Sequence, residues 1–136
     1  MKKYLLSILA MFFFGYVAMG QITIYEDNFD SYTTGEQLVL ENSTNWTTWS
    51  NSPGSAEDPV ISDDYSNTNP NSVKITGTND AVLMLEDKTD GKYNVKFKMY
   101  IPDGNLGYFN MLQDFAGASS TWGIQVYFDL GGLGLV

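Results

Sequence analysis

The sequence predicts an all-β domain, an antiparallel sandwich or barrel, and three observations predict it. Turn-forming residues recur about every 8–12 positions between short apolar runs. Those runs are rich in aromatic and β-branched residues, which suit half-buried strands. Two of them alternate apolar and polar with a period of two, so one face of each must meet a core and the other water. After position 20, no stretch sets apolar residues at helical spacing with caps.

The first twenty residues stand apart as an expected signal peptide. Lys2 and Lys3 form a positive n-region, an apolar run covers 4–17, and Ala18 and Gly20 supply small residues for cleavage before Gln21. The run is 14 residues long, shorter than the roughly 20 that a membrane-spanning helix needs. No membrane insertion is therefore expected after cleavage. With no cysteine at the cut, no lipid anchor is expected there either. The mature part, 21–136, is read as a single domain.

Along that domain, short strands are expected at 21–25, 37–41, 45–49, 59–62, 72–76 and 81–86. Turn clusters such as Thr33-Thr34-Gly35 and the Asn/Ser/Pro-rich 64–72 separate them. The clearest strand is 93–101. Its odd positions Tyr93, Val95, Phe97 and Met99 should face a core, and Asn94, Lys96, Lys98 and Tyr100 should face away. Pro102-Asp103-Gly104 then turns the chain into a strand at 106–113, with Phe109 and Met111 inward and Tyr108 and Asn110 outward. In 122–130, Trp122, Ile124, Val126 and Phe128 take the inward phase, opposite Gln125, Tyr127 and Asp129. This strand runs into Gly131-Gly132-Leu133-Gly134-Leu135-Val136, so later strand partners are expected to be missing and the sandwich to be an incomplete one.

Composition removes several function classes. There is no cysteine and no histidine, and all seven basic residues are lysines. Disulfides, thiol nucleophiles, the Ser-His-Asp triad and imidazole metal sites are thereby excluded. Past residue 20 the chain keeps five lysines against 16 acids, a net charge of −11. Nucleic acid is not an expected partner, because a phosphate backbone calls for a basic footprint. Between Gln21 and Val73 there are nine acids and no base. That imbalance marks a solvated surface and also permits a bound divalent cation.

Several blocks recur together in a recognisable order: Asp27-Asn28-Phe29-Asp30-Ser31-Tyr32 with Gly35, then Trp46-Thr47-Thr48-Trp49, then Gly54-Ser55-Ala56-Glu57-Asp58. Asn71-Ser72-Val73-Lys74-Ile75, Gly77-Thr78-Asn79-Asp80, Gly107-Tyr108-Phe109-Asn110 and Val126-Tyr127-Phe128-Asp129 complete the set. Together they resemble the concanavalin A-like lectin/glucanase, or laminin G-like jelly-roll, modules of bacterial proteins secreted by the type IX route. The resemblance covers 22–129 and implies a jelly-roll β-sandwich and an extracellular or cell-surface address, with the periplasm as the alternative. Such proteins usually continue into further strands and a sorting domain, and both are expected to be missing here.

The resemblance also frames the candidate sites. Jelly-roll glucanases carry an E-x-D-x-E strand that sets alternate carboxylates on one face, and this chain has none. Glu57-Asp58 and Asp63-Asp64 are adjacent pairs whose side chains would diverge, so they are expected to cap turns and face solvent rather than catalyse. A structural calcium is the one cofactor considered, with Asp27 and Asp30 as its first ligands, because relatives of this kind often bind it. For a polysaccharide or surface glycan, the expected ligand face comprises Trp49, Tyr100, Tyr108, Asn110, Gln125, Tyr127 and Asp129. Aromatic rings stack on sugar C–H faces while amides and carboxylates meet the hydroxyls. Trp46 and Trp49 lie three apart, so one of them is expected to be exposed. The leading expectation is a non-catalytic carbohydrate-binding or adhesive module. Its alternatives are a structural interaction domain without a small-molecule site and a degenerate glycoside hydrolase.

Overall fold

The computed structural model describes residues 21–130 and 134–135; the expected signal peptide lies outside the described residues. The chain is all-β in class, and helix is confined among the described residues to one turn, α1 (Leu38–Glu41). The strands are β1 (Trp46–Thr48), β2 (Val60–Ser62), β3 (Ser72–Lys74), β4 (Ala81–Leu83), β5 (Gly107–Asp114), β6 (Thr121–Phe128) and β7 (Gly134–Leu135). They pair antiparallel as β1-β4, β2-β3 and β5-β6-β7. No helix among the described residues is long and apolar enough to cross a membrane.

The core sits in the first half of the chain. Leu38, Val39 and Ile61 are wholly buried, and Thr48, Asp58 and Pro59 lie among the fully enclosed side chains. This explains why 37–41 forms a helical turn and not the expected strand. Leu38 and Val39 are adjacent and both buried, whereas a strand would send neighbours to opposite faces. The turn's free N–H groups are met from outside it: Leu38 N donates to Pro59 O at 2.8 Å and Val39 N to Asp58 Oδ1 at 2.9 Å. The Gln37 side chain, which heads the turn, donates instead to Ser55 O and Asp58 O. Asn71, 3 % exposed, ties the first loop to β3 by accepting from Thr34 Oγ1 and donating to Tyr32 O.

Two other expected strands are absent. Residues 21–25 are not paired, and Ile22 and Ile24 stay 84 % and 57 % exposed. The 93–101 segment joins no ladder either. Its turn forms as expected, with Asn105 N donating to Pro102 O and Gly104 at φ +79°, the positive φ that a type II turn requires. Side chains, not backbone bonds, hold the segment against β5: Phe97 packs edge-on to Phe109 at 4.7 Å, and a side chain at Gly107 would collide with Ile101. Its other face is held by the 64–69 loop, where Tyr65 packs on Tyr100 and Lys98 Nζ donates to Asn67 Oδ1.

The alternation is as expected along β5 and from Ile124 to Phe128 of β6. Trp122, expected inward, pairs with Leu112 beyond a register shift and so falls on the Tyr108 side. The apolar side meets no core. Tyr93, Val95, Phe97, Met99, Met111 and Ile124 are all between 41 and 54 % exposed.

Candidate ligand-binding site

The eight-residue strands β5 and β6 build the site by register. Tyr108 stands opposite Tyr127 and Asn110 opposite Gln125, so all four side chains share one face of the ladder. Their rings and amides are mutually bonded. The two tyrosine rings lie 4.7 Å apart at 36°. Both phenols donate to Gln125 Oε1, Tyr108 at 3.2 Å and Tyr127 at 3.0 Å, and Asn110 Nδ2 donates to the Tyr108 oxygen at 3.1 Å. Gln125 thus fixes two aromatic rings that remain 41 % and 50 % exposed.

Where the register ends is also set by sequence. Met111 faces Ile124, but Leu112 faces Trp122, so Gly123 is an extra residue in a β-bulge. A Cβ at Gly123 would lie 2.7 Å from Met111 O, so only glycine fits without displacing backbone. Beyond the bulge, Trp122 stacks on Trp49 at 5.6 Å and 22°, and Phe115 also packs on Trp49, at 5.6 Å. These contacts join the β5–β6 hairpin to the end of β1. Burial pushes the Tyr108 phenol up from its ordinary pKa, and the charges of Tyr127 and Asp80 add to the rise while the Asn110 amide opposes it.

No family model, curated protein or solved structure matches the chain. The chemistry of the face must therefore be taken from its side chains. Four of the seven expected ligand residues come together: Tyr108, Asn110, Gln125 and Tyr127. Tyr100 is drawn away to pack on Tyr65 at 4.5 Å. Trp49 lies instead in an open groove of about 680 Å³, with Trp46, Met84, Phe115, Ser50 and Asn51 in its walls. Neither Trp46 nor Trp49 is fully exposed, because Trp46 packs on Phe29 and donates to the Tyr25 oxygen. Asp129 follows β6 directly and is exposed. Alternation located the tyrosine face, but it could not find Met84 or Phe115, which a loop and a strand end bring in.

Asp27 and Asp30 each take their own set of donors. Asp27 Oδ2 accepts from both Tyr25 (2.7 Å) and Tyr32 (2.6 Å), and Oδ1 accepts from Phe29 N. Asp30 accepts from Asn28 Nδ2 and Thr68 Oγ1. Their oxygens face protein donors in this structure. Among the described residues no group of three carboxylates could hold a metal ion. The adjacent acids diverge: Glu57 accepts from Ser50 N and Oγ, which hold its carboxyl below the usual range, while Asp58 turns into the core. The burial of Asp58 corrects the expectation that both faced solvent. It reflects the backbone N–H groups that α1 and the Gly54 turn offer it.

Proposed function

We propose that this chain is a secreted, non-catalytic carbohydrate-binding or adhesive module, on a jelly-roll sandwich of the concanavalin A-like kind, that works at the cell surface or beyond. The observation carrying this reading is the bonded set of Tyr108, Asn110, Gln125 and Tyr127 on one ladder face. Two half-exposed rings offer π-faces to the C–H side of a sugar, and the two amides offer donors and acceptors to its hydroxyls. Because Gln125 already fixes both phenols, little side-chain freedom is lost when a ligand docks. None of these four side chains is charged, a set that suits a neutral polysaccharide.

A panel of neutral polysaccharides tests this directly. The wild-type chain should bind at least one, and the Tyr108→Ala/Tyr127→Ala double variant should bind it about 10–100-fold more weakly while keeping its circular dichroism. If the wild type binds none, or the double variant binds undiminished, the carbohydrate reading fails and a structural interaction domain takes its place.

A further inference from the structure

The opposite face of the same hairpin is apolar and open. Val95, Phe97, Met99, Met111 and Ile124, with Tyr93, are each 41–54 % exposed, and Phe109, Val126 and Phe128 lie partly exposed among them. Contacts tie most of them into one surface: Phe97 meets Phe109, Phe109 meets Phe128, Ile101 and Met99 crowd the Cβ position of Gly107, and Met111 stands opposite Ile124. A sheet with one apolar side is stable only when a second layer covers it. Within this chain the wholly buried side chains Leu38, Val39 and Ile61 belong to the other part of the molecule.

We infer that a second copy of this chain covers the face, the two sheets packing apolar side to apolar side about a twofold axis. Two properties of the face select a second copy. The first is charge. A chain with five lysines against 16 acids after residue 20 repels itself, and any self-contact must avoid those acids. This face contains none of them. Lys96 and Lys98 alternate onto the other side of their segment, where Lys98 is bonded to Asn67. The second is area. Half-exposed side chains of this size leave roughly 80–100 Å² each, so six offer about 500–600 Å² per copy. With the partly exposed Phe109, Val126 and Phe128 the total is about 600–700 Å², at the lower end of the roughly 600–1,000 Å² that each partner buries in a stable interface. An apolar sheet face is also self-complementary, as a twofold interface must be, and it packs at the ~10 Å spacing of any sandwich.

The test is the mass in solution of the chain purified as a bacterial host delivers it. Sedimentation velocity across a dilution series should give twice the chain mass at micromolar concentration. Ile124→Lys, at a half-exposed strand position where lysine is tolerated by a monomer, should give the single-chain mass with an unchanged circular dichroism spectrum. Ile75→Lys, also apolar and exposed but just past β3, should leave the dimer intact. A monomeric wild type overturns the proposal and leaves the face to a different partner. A dimer that survives both Ile124→Lys and Phe97→Lys overturns it as well, by placing the contact elsewhere.

Discussion

The carboxylate of Asp58 is 1 % exposed, and each oxygen takes one backbone N–H, Val39 at 2.9 Å and Gly54 at 3.0 Å. Asp58→Ala should therefore strand two buried donors and cost about 2–4 kcal/mol, measured by urea denaturation. Asp58→Asn, which keeps one acceptor, should cost about half as much. The role of Asp58 was not legible in the sequence, because an acid beside another acid and a proline has the composition of a solvent-facing turn. Only the fold reveals that α1 lacks a side-chain cap of its own and borrows this one from 19 residues away. The Asp27 cluster supports a second expectation at this scale. Burial, with the hydrogen bond to Asp27, pushes the phenols of Tyr25 and Tyr32 up, whereas in the unfolded chain they ionise near pH 10. Above about pH 10 the unfolded state releases protons that the native state still holds, so stability is complete below that pH and falls as pH rises through the native values. Urea midpoints taken from pH 9 to 11 should decline, and Tyr25→Phe/Tyr32→Phe should flatten the decline. A slope unaltered by the double variant would rule out these phenols as its source.

At the scale of elements, the β5–β6 hairpin depends on the bulge at Gly123. Gly123→Ala would set a methyl 2.7 Å from Met111 O, a contact that backbone must move to relieve. The expected cost is about 1–3 kcal/mol of stability. Because the shift lies two residues from Gln125, polysaccharide binding should weaken as well. Unchanged stability in Gly123→Ala would show that the strand absorbs the methyl by sliding. The long strands were the readable ones, since Tyr108, Asn110, Gln125 and Tyr127 follow a strict alternation that fixes their shared face before any partner is known. The short elements were less so. Leu38, Val39 and Leu40 form an apolar triplet that fits a buried strand as well as a helical turn, and the choice was made by distant acceptors at 58–59. The 93–101 segment has the pattern of a strand, but pattern records which side is apolar and not whether a neighbour supplies ladder bonds.

For the whole molecule, charge and apolar surface are kept apart. Nine acids and no base lie between Gln21 and Val73, while Lys92, Lys96 and Lys98 cluster in and just before the 93–101 segment. Composition showed this imbalance at once, but it could not show that the core would gather around Leu38 and Ile61 and leave the later strands half covered. The ion pairs among the described residues, Lys74–Asp64 at 2.6 Å and Lys88–Glu86 at 3.5 Å, are solvent-accessible, and Asp64 and Lys74 hold each other's charged forms. Pairs of that kind contribute little. Net repulsion among the acids is then the larger electrostatic effect on folding, and salt should relieve it. Raising the ionic strength from about 10 mM to about 150 mM shortens the screening length from about 30 Å to about 8 Å, less than the separation of most surface charges. The thermal midpoint should rise over that range, and it should rise with sodium chloride and with potassium chloride alike, because screening does not distinguish them. Replacing Lys74 with Gln should leave the rise intact, since the pair with Asp64 is not its origin. A midpoint that falls with salt would mean that specific ion pairs outweigh the repulsion of a chain so short of lysine.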